Sequence, residues 1–315
     1  MDNRTSKGYG SRTITPDQIE EVFGCDLHKD LRNYILSLNL NYKELSDDET
    51  QDVCRSCFEM LLGSDLKIAG KHRKNEWETG WGQNVKSFMQ EPSIANLRPL
   101  YFGKSEVSRW RQQFIRPVSL SFEVDMLSVI VRWVATTFMI DPDHIAEFGC
   151  GTGINLVHLR SVHPNATITG LDWTSSSQEL VCALANSTND SRMFAHKFDF
   201  FEPDTLFTIG LETAVLTVAA LEQVGLNFGP FLEYLLCKRP KVCVHIEPIG
   251  ELLDSRNTLD FISIQYCKKR KYLDGFLIEL RRRAELGELV IHQQSRTFVG
   301  SIFIEGYSVV VWSPR

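Results

Sequence analysis

Ala146-Glu147-Phe148-Gly149-Cys150-Gly151-Thr152-Gly153 is the stretch whose reading decides the fold. Three glycines at alternating positions follow a short apolar run and an acid. Glycine alone lets a backbone turn tightly from strand to helix while leaving room for a ligand against the main chain. An NAD fingerprint, Gly-x-Gly-x-x-Gly, needs its third glycine where Ile154 stands. An NAD oxidoreductase is therefore the poorest of the readings. Outward from the loop, the text alternates as a doubly wound α/β fold should. Strands are expected over 145–148, 167–171, 193–198, 213–218 and 242–246, with helices over 155–161, 176–185 and 228–237 between them. A helix over 122–137 precedes the first strand. A basic helix, 268–285, follows the fifth strand, and two late strands, 288–293 and 307–312, are spaced to pair as an antiparallel edge.

The rest of the chain sets bounds. Its 315 residues suit one large domain, or a domain with an extension. A net charge of -6 gives no general drive toward nucleic acid or anionic membrane. No apolar stretch approaches the ~20 residues of a membrane span, and the polar start lacks a signal-peptide core, so the cytoplasm is the default expectation. The 8 cysteines are scattered through core-like segments, as free thiols rather than a disulfide framework. Cys54 and Cys57 form a lone Cys-x-x-Cys without a second ligand pair, so no metal is expected. Residues 1–13 read as a disordered tail. Residues 14–120 read as a mainly helical extension or cap, opened by a Thr15-Pro16-Asp17-Gln18 capping box. The cluster Trp77-Glu-Thr-Gly80-Trp81-Gly82 suits a shaped loop, lining a pocket or packing the extension down.

A ligand in an open α/β sheet binds at the carboxyl ends of the strands, beside the glycine loop. The second strand ends in Asp172, whose carboxylate can accept hydrogen bonds from ribose hydroxyls, or can cap the next helix. Trp173 follows and can cover a ribose or purine face. The third strand ends in Asp199-Phe200, an acid beside an aromatic wall.

The spacing of Gly149, Gly151 and Gly153, with the ordered acids, resembles motif I and its partners in the class I S-adenosylmethionine-dependent methyltransferases, over about residues 121–315. The resemblance implies a Rossmann-like seven-stranded sheet whose last strand is antiparallel, with S-adenosylmethionine as cofactor. It further implies that Glu147 lies near the amino-acid half of that cofactor and that Asp199 accepts the adenine amino group.

The fourth strand ends near Glu222-Gln223 and the fifth in His245-Ile-Glu247. Both ends should open toward the donor methyl, making Glu222 and Glu247 the expected bases and Gln223 an acceptor-side residue. His245 is expected to be either a substrate contact or a satisfied core histidine. Tyr101 and Arg111 are acceptor-side residues by position alone, since amino-terminal segments fold as lids in many members of the superfamily. Lys268-Lys-Arg-Lys271 and Arg281-Arg-Arg283 form an anion-binding or merely solvated face. The leading expectation is methylation of an oxygen or nitrogen on a small or medium-sized polar metabolite. The alternatives are an RNA or protein methyltransferase using the basic helix, and a non-catalytic cofactor-binding regulator.

Overall fold

The structure is a computed structural model that describes residues 10–63 and 65–315. The amino-terminal part carries β1 (Arg12–Thr13), α1 (Pro16–Phe23), α2 (Lys29–Ser37), β2 (Asn41–Glu44), α3 (Asp47–Gly63), α4 (Lys74–Gln90), α5 (Ile94–Leu97), β3 (Ser108–Trp110) and β4 (Gln113–Pro117). The rest runs α6 (Phe122–Phe138), β5 (His144–Phe148), α7 (Ile154–Val162), β6 (Thr167–Asp172), α8 (Ser175–Ser187), β7 (Met193–Lys197), β8 (Thr213–Val218) and α9 (Gly229–Lys238). It finishes with β9 (Val242–Glu247), α10 (Thr258–Arg270), α11 (Phe276–Glu285), β10 (Leu289–Ser295), β11 (Val299–Ser301) and β12 (Ser308–Pro314).

Seven strands form one sheet in the order β10-β12-β9-β8-β5-β6-β7. β12 runs antiparallel to both neighbours, and the five strands from β9 to β7 pair in parallel. The alternation of each strand divides the core. Ile145, Ile168, Leu216, Val244 and Val309 face α6, α7 and α8, whereas Phe148, Leu171, Val215, Cys243 and Trp312 face α9 and α11. This is a Rossmann-like seven-stranded sheet with the expected reversed last strand in place.

Four differences from the sequence reading matter. The tail expected over 1–13 lies, for residues 1–9, outside the described residues, and Arg12 and Thr13 pair with Tyr42 and Asn41. The extension is not purely helical either. β1, β2, β4 and β3 make a second sheet, closed at its edge by β11 from the far end of the chain. Trp77 to Gly82 is not a loop but the interior of α4. The two indoles, four residues apart, share one helix face and stack at 5.2 Å, and their packing overrides the glycines' poor helix propensity. A Cβ on Gly82 would sit at ordinary contact distance, 3.5 Å, from the Ser176 hydroxyl of α8, against which α4 packs. Finally, the basic stretch is two helices, because Lys271 (φ 52°) ends α10 and Gly275 (φ 79°) begins α11, both in the left-handed region. No described helix is long and apolar enough to cross a membrane.

Candidate active site

The glycine loop ends β5 and starts α7. Gly151 has φ 52°, its N–H donates to Asp172 Oδ2 at 3.1 Å, and its carbonyl accepts from the Ser177 hydroxyl. A Cβ there would meet the Trp81 indole at 3.1 Å, and one on Gly149 (φ 73°) would strike the Ala220 Cβ at 2.4 Å. Both glycines are needed for φ and for space. Gly153 (φ 76°) caps α7 in the left-handed conformation.

Around this loop lies a cleft of about 930 Å³. Its floor is Gly149, Cys150, Thr152 and Asn155. One wall is Asp172, Trp173, Asp199 and Phe200, and its roof is Trp77 and Trp81 of α4, with Tyr101 and Phe102. Asp172 is buried. Its Oδ1 accepts from the Thr174 N–H (2.9 Å) and hydroxyl (2.8 Å). Thr174, not Asp172, caps α8. With the Gly151 bond, three of roughly four lone-pair positions are filled, leaving one for a ligand hydroxyl. Trp173 stacks with Phe201 at 6.1 Å, Phe200 packs edge-on against Phe231, and Asp199 Oδ1 accepts from the Phe201 N–H at 2.9 Å.

Glu147 stands one layer behind the cleft. Its Oε1 accepts from Asn155 Nδ2 at 2.7 Å while its Oε2, fully buried, has no partner. Burial pushes this carboxyl up to about 8. The hydroxyl of Thr152, in the cleft floor, is likewise buried and unpartnered. An unpartnered buried hydroxyl in the cleft floor is costly and marks Thr152 as a candidate ligand contact, whereas Glu147 reaches the cleft only through Asn155. Thr152 and Asn155 were not singled out from sequence, although both lie within or next to the glycine motif.

A second cavity, of about 1430 Å³, adjoins the first and shares Trp77, Trp81, Tyr101, Phe102 and Ala219 with it. Its lining also includes Glu222, Glu123, Arg73, Arg270, Lys104, Tyr266, Tyr272 and Tyr307. Glu222, in a short 3-10 turn after β8, accepts from Gln223 Nε2 at 2.7 Å. Burial pushes its carboxyl up to about 7, against the pull of the nearby Arg270 and Arg73 guanidinium groups. Glu123 on α6 accepts from the Tyr307 hydroxyl at 2.8 Å and is likewise pushed up to about 7 by burial. Gln223 accepts from Arg73 Nη1 at 2.7 Å and lines the first cleft.

Three expected site residues lie elsewhere. Glu247 is wholly buried, with Oε1 accepting from the Ala220 and Leu221 N–H groups (3.0 Å each) and Oε2 from that of Glu222 (3.3 Å). It holds the turn that carries Glu222 and lines neither cavity. His245 is a core histidine, as β9's alternation allows. Its Nδ1 meets the Thr217 hydroxyl and its Nε2 accepts from Trp312 Nε1, each at 2.9 Å, and burial lowers its pKa to about 3. Arg111 sits at the β3–β4 turn (φ 51°) and pairs with Glu21 at 2.9 Å.

The second basic segment is occupied, whereas in the first Lys268, Arg270 and Lys271 make no salt bridge among the described residues. Arg281 donates to Gln294, Arg282 pairs with Glu279, and Arg283 pairs with Glu279, Glu288 and Glu233. Lys269 donates to the Leu61 carbonyl. All eight cysteines are free, with Cys182 and Cys237 exposed. Among the described residues no group of three or more His, Cys, Asp or Glu could hold a metal ion.

The buried acids imply a pH dependence of stability. Glu147 and Glu247 are both held at about 8 by burial, above the ordinary 4.5. The folded state then binds protons that the unfolded chain has released, so stability is lost as pH rises from 4.5 through 8. The buried histidines His158 and His245, lowered to about 3, act in the opposite sense only below about pH 7. Calorimetry is therefore expected to show stability falling between pH 7 and 8.5, by about 1 kcal/mol for each of the two acids. A flat or rising melting temperature over that interval would contradict the burial of both charges.

The sheet and glycine loop are those of a Rossmann-like α/β fold. Similar solved structures include the pyocyanin biosynthetic protein PhzM, at 13% identity over 92% of this chain and 74% of that one, TM-score 0.49. An O-methyltransferase family protein from Burkholderia thailandensis is similar at 11% identity over 96% and 88%, TM-score 0.48. The O-methyltransferase NcsB1 of neocarzinostatin biosynthesis, in complex with S-adenosylmethionine and 2-hydroxy-5-methyl naphthoic acid, is similar at 14% identity over 96% and 89%, TM-score 0.44. No family model and no curated protein matches the chain.

Proposed function

We propose that this chain is an S-adenosylmethionine-dependent methyltransferase acting on an oxygen or nitrogen of a small-molecule acceptor. The observation that carries the reading is the pairing of two adjoining cavities. One is built on the glycine loop and Asp172, and the other holds two carboxyls with raised pKa, the two meeting at Ala219. S-adenosylmethionine, when bound, supplies a methyl group already activated on a sulfonium sulfur. The residues suited to hold it are Gly149, Thr152 and Asn155 with Glu147 behind, Asp172 with Trp173, and Asp199 with Phe200.

What remains for the protein is alignment and proton removal. The second cavity holds the acceptor beside the first. Glu222, near pH 7 in its titration, is suited to take the proton of an acceptor hydroxyl or ammonium as its lone pair is used. Glu247 fixes the backbone of that turn. The α4 roof, which lines both cavities, is joined to α8 by Glu78 accepting from the Ser175 and Ser176 N–H groups at 2.8 Å each. Of the basic stretch that an RNA or protein methyltransferase would use, Arg281, Arg282 and Arg283 are engaged by acids and an amide of the chain, and Lys268 and Lys271 are left without a salt bridge.

Titration calorimetry with S-adenosylhomocysteine tests the cofactor reading. Binding is expected for the wild-type chain. Asp172→Asn should weaken it about 10-fold or more, because a charge-assisted acceptor is worth about 1.5–3 kcal/mol. Binding of NAD with none of S-adenosylhomocysteine would overturn the assignment.

A further inference from the structure

Arg270 is a half-buried cation of the second cavity that makes no salt bridge among the described residues, whereas Lys104, the other unpaired cation of the lining, is exposed. Arg73, on the same wall, is satisfied by Glu76 and Gln223. Arg270 makes one side-chain hydrogen bond, from Nη1 to the Tyr266 hydroxyl at 2.8 Å. Its guanidinium carbon lies 4.7 Å from the Tyr272 ring centroid and 5.5 Å from that of Tyr266, and its Nε is buried with no partner. No carboxylate of the described residues comes within ion-pair distance of it.

A guanidinium does not deprotonate, so this charge is permanent. The acids around it do not cancel it. Glu76 is committed to Arg73 and Lys67, burial keeps Glu123 largely protonated below about pH 7, and Glu222, the acid on which Arg270 pulls, makes no salt bridge with it and is itself pushed up to about 7 by burial. A partly buried cation with most of its N–H donors unused is a site for a planar anion, which a guanidinium grips with two parallel bonds. The surrounding walls, Tyr266 and Tyr272 on one side and Trp77 and Tyr101 on another, are aromatic and suit a flat ring.

We infer that the methyl acceptor is an aromatic carboxylate, and that Arg270 is the residue that recognises its carboxylate. The inference rests on the methyltransferase reading and narrows it. Arg270 then orients the ring so that a hydroxyl or amino substituent reaches Glu222, in the same cavity. Selection follows from charge, because a neutral ring of the same shape would leave the guanidinium desolvated and unpaired.

The test is calorimetry on the full chain saturated with S-adenosylhomocysteine. The probes are 4-hydroxybenzoate, 2-hydroxybenzoate and 4-hydroxyphenylacetate, each set against its primary amide. At least one carboxylate is expected to bind, and to bind about 30-fold more tightly than its amide, the scale of one charge-assisted pair. Arg270→Gln should abolish that preference, and Arg270→Lys should keep most of it, with the affinity for S-adenosylhomocysteine unchanged in both. Should Arg270→Gln fail to fold, the wild-type and Arg270→Lys titrations still decide. Equal binding of acid and amide, no binding of any carboxylate, or a preference that survives Arg270→Gln would each overturn the inference. Failure of S-adenosylhomocysteine itself to bind would be seen before any probe is added, and would count against the cofactor reading instead.

Discussion

Gly151→Val is expected to abolish binding of S-adenosylhomocysteine, lowering affinity by at least about 100-fold, while the chain still folds. Two effects add. A β-branched residue held at φ 52° is strained by about 1–3 kcal/mol. Its Cβ would also press on the Trp81 indole from 3.1 Å, forcing the α4 roof away from the loop. The N–H that Asp172 accepts from moves with the strained backbone, so the acid and the loop are disordered together. Circular dichroism and calorimetric melting should show a folded protein with a melting temperature lower by several degrees, since ~1 kcal/mol is worth about 2–4 °C in a domain of this size. Wild-type affinity in the folded variant would show that the ligand does not lie against this loop. Gly151→Ala, with the same φ penalty but a smaller side chain, should fall between the two.

Glu222→Gln should lower turnover by about 10²-fold, the usual contribution of a positioned base, with affinity for S-adenosylhomocysteine within about twofold of wild type. The wild-type rate should rise with pH through about 7 as Glu222 ionises, and the variant should lose that limb. The comparison is made with single-turnover kinetics on whichever acceptor proves active. If Glu222→Gln turned over normally, proton removal would pass to Glu123, which lines the same cavity and is also pushed up to about 7. Loss of cofactor binding instead would make Glu222 a support for the first cleft.

The central sheet was legible because its strands are nearly continuous apolar runs between glycine-rich turns. β5, β6, β8 and β9 fall within one residue of the expected bounds. The glycine loop and the acids ending β6 and β7 were legible for a related reason, since the carboxyl ends of parallel strands converge on one edge. The second cavity was not. It gathers side chains from α4, α6, α10 and the segment before β12, and no local spacing announces that Glu123 will meet Tyr307 across 184 positions. Glu247 and Glu222 read alike in sequence, each an acid after a strand. They differ only in that three backbone N–H groups already occupy the first. Trp77 and Trp81 were misread for a different reason. The two glycines between and beside them signal a loop locally, and only the stacking of the indoles and the approach to α8 reveal a helix.

The small sheet carries a consequence for how the chain is made. β3 lies between β4, three residues further on, and β11, which begins 191 residues after β3 does. Arg109 in that strand is buried, and it donates to the carbonyls of Leu259 and Ile302 and to the hydroxyl of Ser263. When the first 120 residues leave the ribosome, their sheet still has an open edge and a guanidinium with none of its native acceptors. The amino-terminal part must therefore wait, incomplete, until almost the last residues have been synthesised. Contacts so distant along the chain make the final docking slow. The exposed edge is a hazard for pairing with other chains during that interval. The two halves of this protein are sequential in the gene but simultaneous in folding.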